Sequence, residues 1–212
     1  MLTLIHQCKR ELASEFEMKD LGLMHYFLGL EVWQRPGEIF LSQGKYIVKL
    51  LERFGMVDCK SVSTPMELNF KKLSGSTAGS VLANPTKYRQ LVGALMFVVN
   101  TRPDVCFAVN TLIQQMVEPH HFHWVGAKKP LRYLWGTIDH GLRYTTESMT
   151  LHGYTDVVWA GSVVDRKSTS GCCFTLGSAS ISWMSKKQKS VALSTTEVEY
   201  IAASMACCEV VC

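Results

Sequence analysis

The chain has 212 residues, 47% of them hydrophobic and 19% charged, with 22 Lys and Arg against 18 Asp and Glu. This is enough apolar material for a core, which excludes a disordered tail, and enough length for one or two domains. The longest near-apolar run, Leu91 to Val99, is about half of the ~20 residues a membrane-crossing helix needs, so no membrane partner is expected.

Residues 1–17 predict an amphipathic helix, with Leu4, Ile5, Cys8 and Leu12 at helical spacing. From Met24 to Trp33 the period changes to two, and Met24, Tyr26, Leu28, Leu30 and Val32 fall on one face of a strand. Arg35-Pro-Gly-Glu38 reads as a turn, and Ile39-Phe-Leu41 as the returning strand of a hairpin. Ser42 is placed to cap a helix carrying Tyr46, Ile47, Leu50, Leu51 and Phe54, stopped by Gly55. Residues 58–86 lack any period, and Lys71 to Ser80 reads as a linker or long loop. Helical patterning resumes at Tyr88, and a second helix starts at Pro103. A third stripe, Trp124, Ala127, Leu131 and Leu134, contains Pro130, which should kink or shorten it. After Gly136 the chain turns to strands at Thr150–Trp159, Gly171–Leu176 and Ser180–Met184, followed by a helix from about Thr195. The fold class is therefore α+β.

Charge is unevenly spread. Residues 1–119 carry 13 basic and 11 acidic side chains, residues 120–196 carry nine and four, and the last 16 carry three acids and no base. A basic middle beside a small acidic cluster suits a polyanion groove next to a cation site, or an ordinary solvated surface. The N-terminus has no basic stretch followed by an apolar one, so no secretory signal is expected. The eight cysteines include two adjacent pairs and no C-x-x-C spacing, which argues against a zinc ribbon or disulfide framework. Reduced thiols in an intracellular protein, cytoplasmic or nuclear, are the expectation.

Asp156 lies within the otherwise apolar or neutral strand Leu151 to Trp159, where a carboxylate needs a cation, donors or open water. Ser194-Thr-Thr-Glu197 has the form of a capping box, which gives Glu197 a structural task and leaves Glu199 about 200° further round the helix. A strand Asp and a helix Glu that converge between sheet and helix can ligate Mg²⁺ or Mn²⁺ through oxygen. His120-His-Phe-His123 is a rival metal motif, but it lacks H-E-x-x-H spacing and follows Pro119 at a helix start. Cys207, Cys208 and Cys212 fall on the last helix as core or incidental thiols.

Seven segments occur in order: Phe16-Glu-Met-Lys-Asp-Leu-Gly22, Tyr26-Phe-Leu-Gly-Leu-Glu-Val32, Thr101-Arg-Pro-Asp104, Leu131-Arg-Tyr-Leu-Trp-Gly-Thr137, Asp165-Arg-Lys-Ser-Thr-Ser-Gly171, Ser182-Trp-Met-Ser-Lys-Lys-Gln188 and Ala192-Leu-Ser-Thr-Thr-Glu-Val-Glu-Tyr-Ile-Ala202. Together they closely resemble the copia-type LTR-retrotransposon Pol polyprotein, from the end of its reverse transcriptase into its ribonuclease H domain. The resemblance implies that residues 1–145 are a thumb- and connection-like region. It likewise implies that residues 146–212 are a truncated ribonuclease H-like β-β-β-α unit, with Asp156 and Glu199 as its catalytic metal ligands for Mg²⁺ or Mn²⁺. The partners it implies are an RNA–DNA hybrid and other Pol segments, with Lys128, Lys129, Arg132, Arg166, Lys167, Lys186, Lys187 and Lys189 on the nucleic-acid backbone.

The chain departs from that pattern. Tyr-x-Asp-Asp of the polymerase palm is absent, Val158 and Ser162 stand where Asp is common, and Pro130 interrupts a helix that usually runs through. The family's downstream Asp-bearing strand and fourth acid are also missing, so little or no cleavage is expected of this chain. The alternatives are a non-catalytic nucleic-acid-binding remnant and a partial reading frame without a role.

Overall fold

The computed structural model describes residues 2–67, 70, 79–146, 149–162 and 165–211. The linker expected from Lys71 lies mostly outside the described residues, as does Cys212. The architecture is mixed, with helices and two antiparallel sheets, as the α+β reading expects.

Helix α1 (Leu2–Glu15) leads into β1 (Tyr26–Phe27) and β2 (Leu30–Arg35). The single strand expected from Met24 to Trp33 is instead broken in two. Leu28 and Gly29 take φ of 48° and 83°, so the chain folds back and Tyr26 pairs with Glu31. Glycine is required at 29, since a Cβ there would meet the Phe97 ring at 2.9 Å. The next turn follows the sequence: Gly37 has φ 76° and Arg35 pairs with Glu38 of β3 (Glu38–Ser42).

Helix α2 (Gly44–Arg53) begins one residue after Gln43, which replaces Ser42 as the cap residue. The Gln43 side chain is fully buried and bonds elsewhere, to Thr101 Oγ1 and the Phe97 carbonyl. Gly55 ends the helix with φ 64°. In α3 (Pro85–Val98) Asn84 caps the Lys87 amide at 3.2 Å. Pro103–Val105 form a 3₁₀ turn that feeds α4 (Cys106–Ile113). Helix α5 (His121–Gly136) runs through Pro130 without the expected shortening. Pro130 is buried, and the helix continues on both sides of it despite the backbone hydrogen bond the proline cannot make.

Apolar faces of α2 to α5 meet in one core containing Ile47, Leu51, Tyr88, Leu95, Leu112, Leu131 and Leu134. Gly126 leaves the space that the Phe70 ring fills. Strand β4 (Gly141–Thr145), which sequence patterning missed, pairs with β3 and completes the sheet β1-β2-β3-β4.

The second sheet is β5 (Leu151–Val158), β6 (Thr169–Leu176) and β7 (Ala179–Lys187), in that order, followed by α6 (Thr195–Val211). It joins the first part through side chains. Trp183 Nε1 donates to the Val99 carbonyl at 3.0 Å, Tyr144 Oη to the Ser180 carbonyl at 2.6 Å, and Ser178 Oγ to the Arg143 carbonyl at 2.8 Å.

Candidate functional site

Among the described residues strand β5 pairs with β6 alone, as an edge strand, and Asp156 is exposed on it. Its Oδ1 accepts a 2.8 Å hydrogen bond from the Val157 amide. The register places Asp156 beside Gly171, and Gly171 beside Ser185. Directly paired residues share a face, and side chains alternate along a strand. Asp156 therefore lies on the face of Trp183, which is turned toward α3 and α4. Helix α6 holds the other face, where Gln188 Nε2 donates to Ser170 Oγ at 2.9 Å and Ser182 Oγ to Glu209 Oε1 at 2.8 Å.

At the start of α6, Ser194 Oγ accepts from the Glu197 amide at 3.1 Å. Glu197 Oε2 reaches back to the Leu193 amide at 2.7 Å, one residue before the amide the capping-box pattern specifies. Glu197 is thus committed to the helix start. Val198 and Ala202 are the buried residues facing the sheet, and Glu199 is exposed on the flank beside them rather than packed.

Asp156 and Glu199 supply oxygen donors of the right kind for Mg²⁺ or Mn²⁺. Two-metal chemistry, however, needs a denser cage than two carboxylates, one of which already serves a backbone amide. Among the described residues no three His, Cys, Asp or Glu side chains gather at one point. The donor set does not fit a two-metal centre.

The eight expected phosphate contacts separate into two groups. On α5, Lys128 lies 5.1 Å from the centroid of the Trp124 ring, Lys129 pairs with Glu67, and Arg132 Nε donates to the Lys60 carbonyl at 2.7 Å. The others stand where β6 begins and β7 ends. There Lys187 pairs with Asp165 at 2.9 Å and donates to Ser162 Oγ at 3.0 Å. Hydrogen bonds from Ser162 and Lys187 hold the Asp165 carboxyl down at about 2. Arg166, at φ 55°, and Lys167 occupy the turn before β6, in which the Ser162 amide donates to the Lys167 carbonyl. Arg166, Lys186 and Lys189 are exposed.

The histidine motif has a structural use. The His120 amide donates to His123 Nδ1 at 2.9 Å, and His120 Nδ1 lies 2.9 Å from the Gly79 carbonyl. Burial, reinforced by the neighbouring His120, lowers the pKa of His123.

Sequence reasoning did not single out the polar centre at Arg102, which is 2% exposed. Its guanidinium grips both carboxylate oxygens of Asp104 and donates to the Thr137 carbonyl at 2.8 Å, while Tyr133 Oη donates to Asp104 at 2.8 Å. Burial works to raise the Asp104 pKa, but the Arg102 and Tyr133 contacts outweigh it and hold the carboxyl below its ordinary value. An Arg and an Asp flanking a helix-start proline were the available signal.

A reverse transcriptase (RNA-dependent DNA polymerase) family profile matches residues 1–68. The chain is 44% identical over 199 residues to the Retrovirus-related Pol polyprotein from transposon RE1 of Arabidopsis thaliana, covering 93% of this chain and 13% of that protein. It is 42% identical over 208 residues to the Pol polyprotein from transposon TNT 1-94 of Nicotiana tabacum, covering 95% and 16%. Uncharacterized mitochondrial protein AtMg00810 of Arabidopsis thaliana is 41% identical over 208 residues, with 98% of this chain and 85% of that protein aligned. No solved structure matches. The chain is thus a reverse-transcriptase-related segment. It belongs to the copia-type retrotransposon Pol family and spans 13–16% of the length of the Pol polyproteins named here.

Proposed function

We propose that this chain carries the end of a Pol reverse transcriptase, a thumb- and connection-like region over residues 1–145, together with a ribonuclease H-like β-β-β-α unit over residues 146–212. Its role in this reading is to hold an RNA–DNA hybrid by its backbone within Pol, without appreciable cleavage by the isolated chain. The observation that carries the reading is the set of cations Arg166, Lys167, Lys186, Lys187 and Lys189 at one end of the β6–β7 pair. Arg166, Lys186 and Lys189 make no ion pair among the described residues, so their charge is free to displace counterions from phosphates.

A hybrid-binding titration against salt tests it. Replacing Arg166, Lys186 and Lys189 together by Ala should reduce the slope of log affinity against log salt by about 2–3, at about 0.7–0.9 for each phosphate no longer neutralised. An unchanged slope removes the groove. Asp156 and Glu199 are the pair that the family likeness would assign to Mg²⁺ or Mn²⁺. A labelled hybrid incubated with either ion should stay intact, and cleavage abolished by Asp156→Asn would overturn the non-catalytic part.

A further inference from the structure

We propose that the cleft between α4 and the β5–β7 sheet binds a flat aromatic ligand bearing a cationic amine, with Asp156 as anionic anchor and Ser185 as hydrogen-bond partner. The cleft encloses about 630 Å³ and lies between the two parts of the chain. Small-ligand sites are typically ~300–1,000 Å³ and favour such junctions. Pro103, Cys106 and Phe107 form one wall, and the sheet forms the other.

The register explains the hollow. Asp156, Gly171 and Ser185 make one row across the three strands. The row Tyr154, Cys173 and Trp183 stands on one side of it, and Val158, Thr169 and Lys187 on the other. Neighbouring rows on a face are ~7 Å apart. The middle residue of the central row has no side chain, so the sheet surface dips there. A Cβ built on Gly171 would meet nothing nearer than the Met184 carbonyl oxygen, at 3.6 Å.

Charge and hydrogen bonding select the ligand. Among the described residues the lining contains one carboxylate, Asp156, and no Lys, Arg or His, which disfavours a phosphate and favours a cation. Asp156 makes no ion pair among the described residues. Phe107, Trp183 and Tyr154 are aromatic members of the lining, and aromatic rings attract a flat cationic body. At the inner end, Ser185 Oγ is buried without a hydrogen-bond partner among the described residues. Such a hydroxyl is a rare and costly feature that a ligand's polar atom can relieve.

Isothermal titration of the full chain with 1-naphthylmethylammonium, against its neutral alcohol isostere and 1-naphthoate, tests the assignment. The ammonium should bind, the alcohol about 3- to 10-fold more weakly, and the carboxylate not measurably. Asp156→Asn should bring the ammonium down to the affinity of the alcohol and leave the alcohol unchanged. Gly171→Val should abolish binding of both by filling the dip. Where a melting curve shows Gly171→Val unfolded, Phe107→Ser serves instead and should weaken both ligands alike. Absence of ammonium binding at millimolar concentration, equal affinity for all three probes, or indifference to the cleft variant would each overturn the proposal.

Discussion

Between Ile47 and Leu134 the helices share a continuous apolar cluster whose members are almost wholly removed from water. The β5–β7 sheet with α6 is built otherwise. Ser168, Ser170 and Gln188 are as deeply buried as Val198 and Ala202, and nearly every residue of β5 is exposed. The first part rests on hydrophobic burial, which is non-directional and forgiving of helix-end detail. The second rests on a strand ladder and a few directional contacts, each of which fails alone when a partner is removed. The sheet accordingly depends on single residues such as Gln188, which bonds both Ser170 and the Val198 carbonyl.

Substitutions can break or sharpen that contrast. Arg102→Ala should have the largest effect, about 3–5 kcal/mol in urea unfolding, because it empties the site of a side chain 2% exposed and removes its charge-assisted hydrogen bonds to Asp104 and to the Thr137 carbonyl and hydroxyl together. Arg102→Lys should recover little, since an ammonium cannot reproduce the forked contact. Leu131→Ala, at a position with no exposure, should cost about 2–5 kcal/mol. Leu151→Ala on exposed β5 should stay within about 0.5 kcal/mol. Equal losses at Leu131 and Leu151 would erase the contrast.

Gln188→Ala should cost about 1–3 kcal/mol by releasing Ser170 and the Val198 carbonyl, and should loosen α6 in hydrogen exchange before the helical core responds. Ser194→Ala should cost about 1 kcal/mol through loss of the cap, with Glu199→Ala near zero. A larger effect at Glu199 than at Ser194 would reverse the roles assigned to the carboxylates.

The smallest effects separate the halves by pH. His123 has a lowered pKa in the folded chain, so the unfolded chain binds its proton first as pH falls. Its stabilising contribution is complete above the ordinary histidine value of about 6.5 and declines below it. Melting temperature should therefore drop from pH 7 to 5 and do so less in His123→Gln. Asp165 is also depressed, to about 2, so its pairing with Lys187 survives that interval and is lost only as pH falls toward about 2. A His123→Gln variant with the parent's pH profile would remove this distinction.

Much of the architecture was legible in the residues themselves. Helical spacing located the helices, Gly37 the hairpin turn and Gly55 a helix end, because local backbone preference suffices where a positive φ or an apolar stripe is needed. The ordered motifs likewise point to the Pol family by themselves. Leu28 and Gly29 misled, since period two continues across a fold-back in which both residues take positive φ and Gly29 lies against the Phe97 ring. Strand β4 escaped notice because five residues carry little pattern until β3 offers an edge.

Tertiary structure alone decided which face each carboxylate occupies. Alternation along β5 can be read from sequence, but which side α6 covers depends on Gln188, Ser182 and Trp183, contacts between residues far apart in the chain. Arg102 shows the same limit from the other direction. Its charge is visible in the sequence, yet its burial exists only once α4, α5 and the turn at Thr137 close around it, because desolvation is a property of packed neighbours and not of residue type.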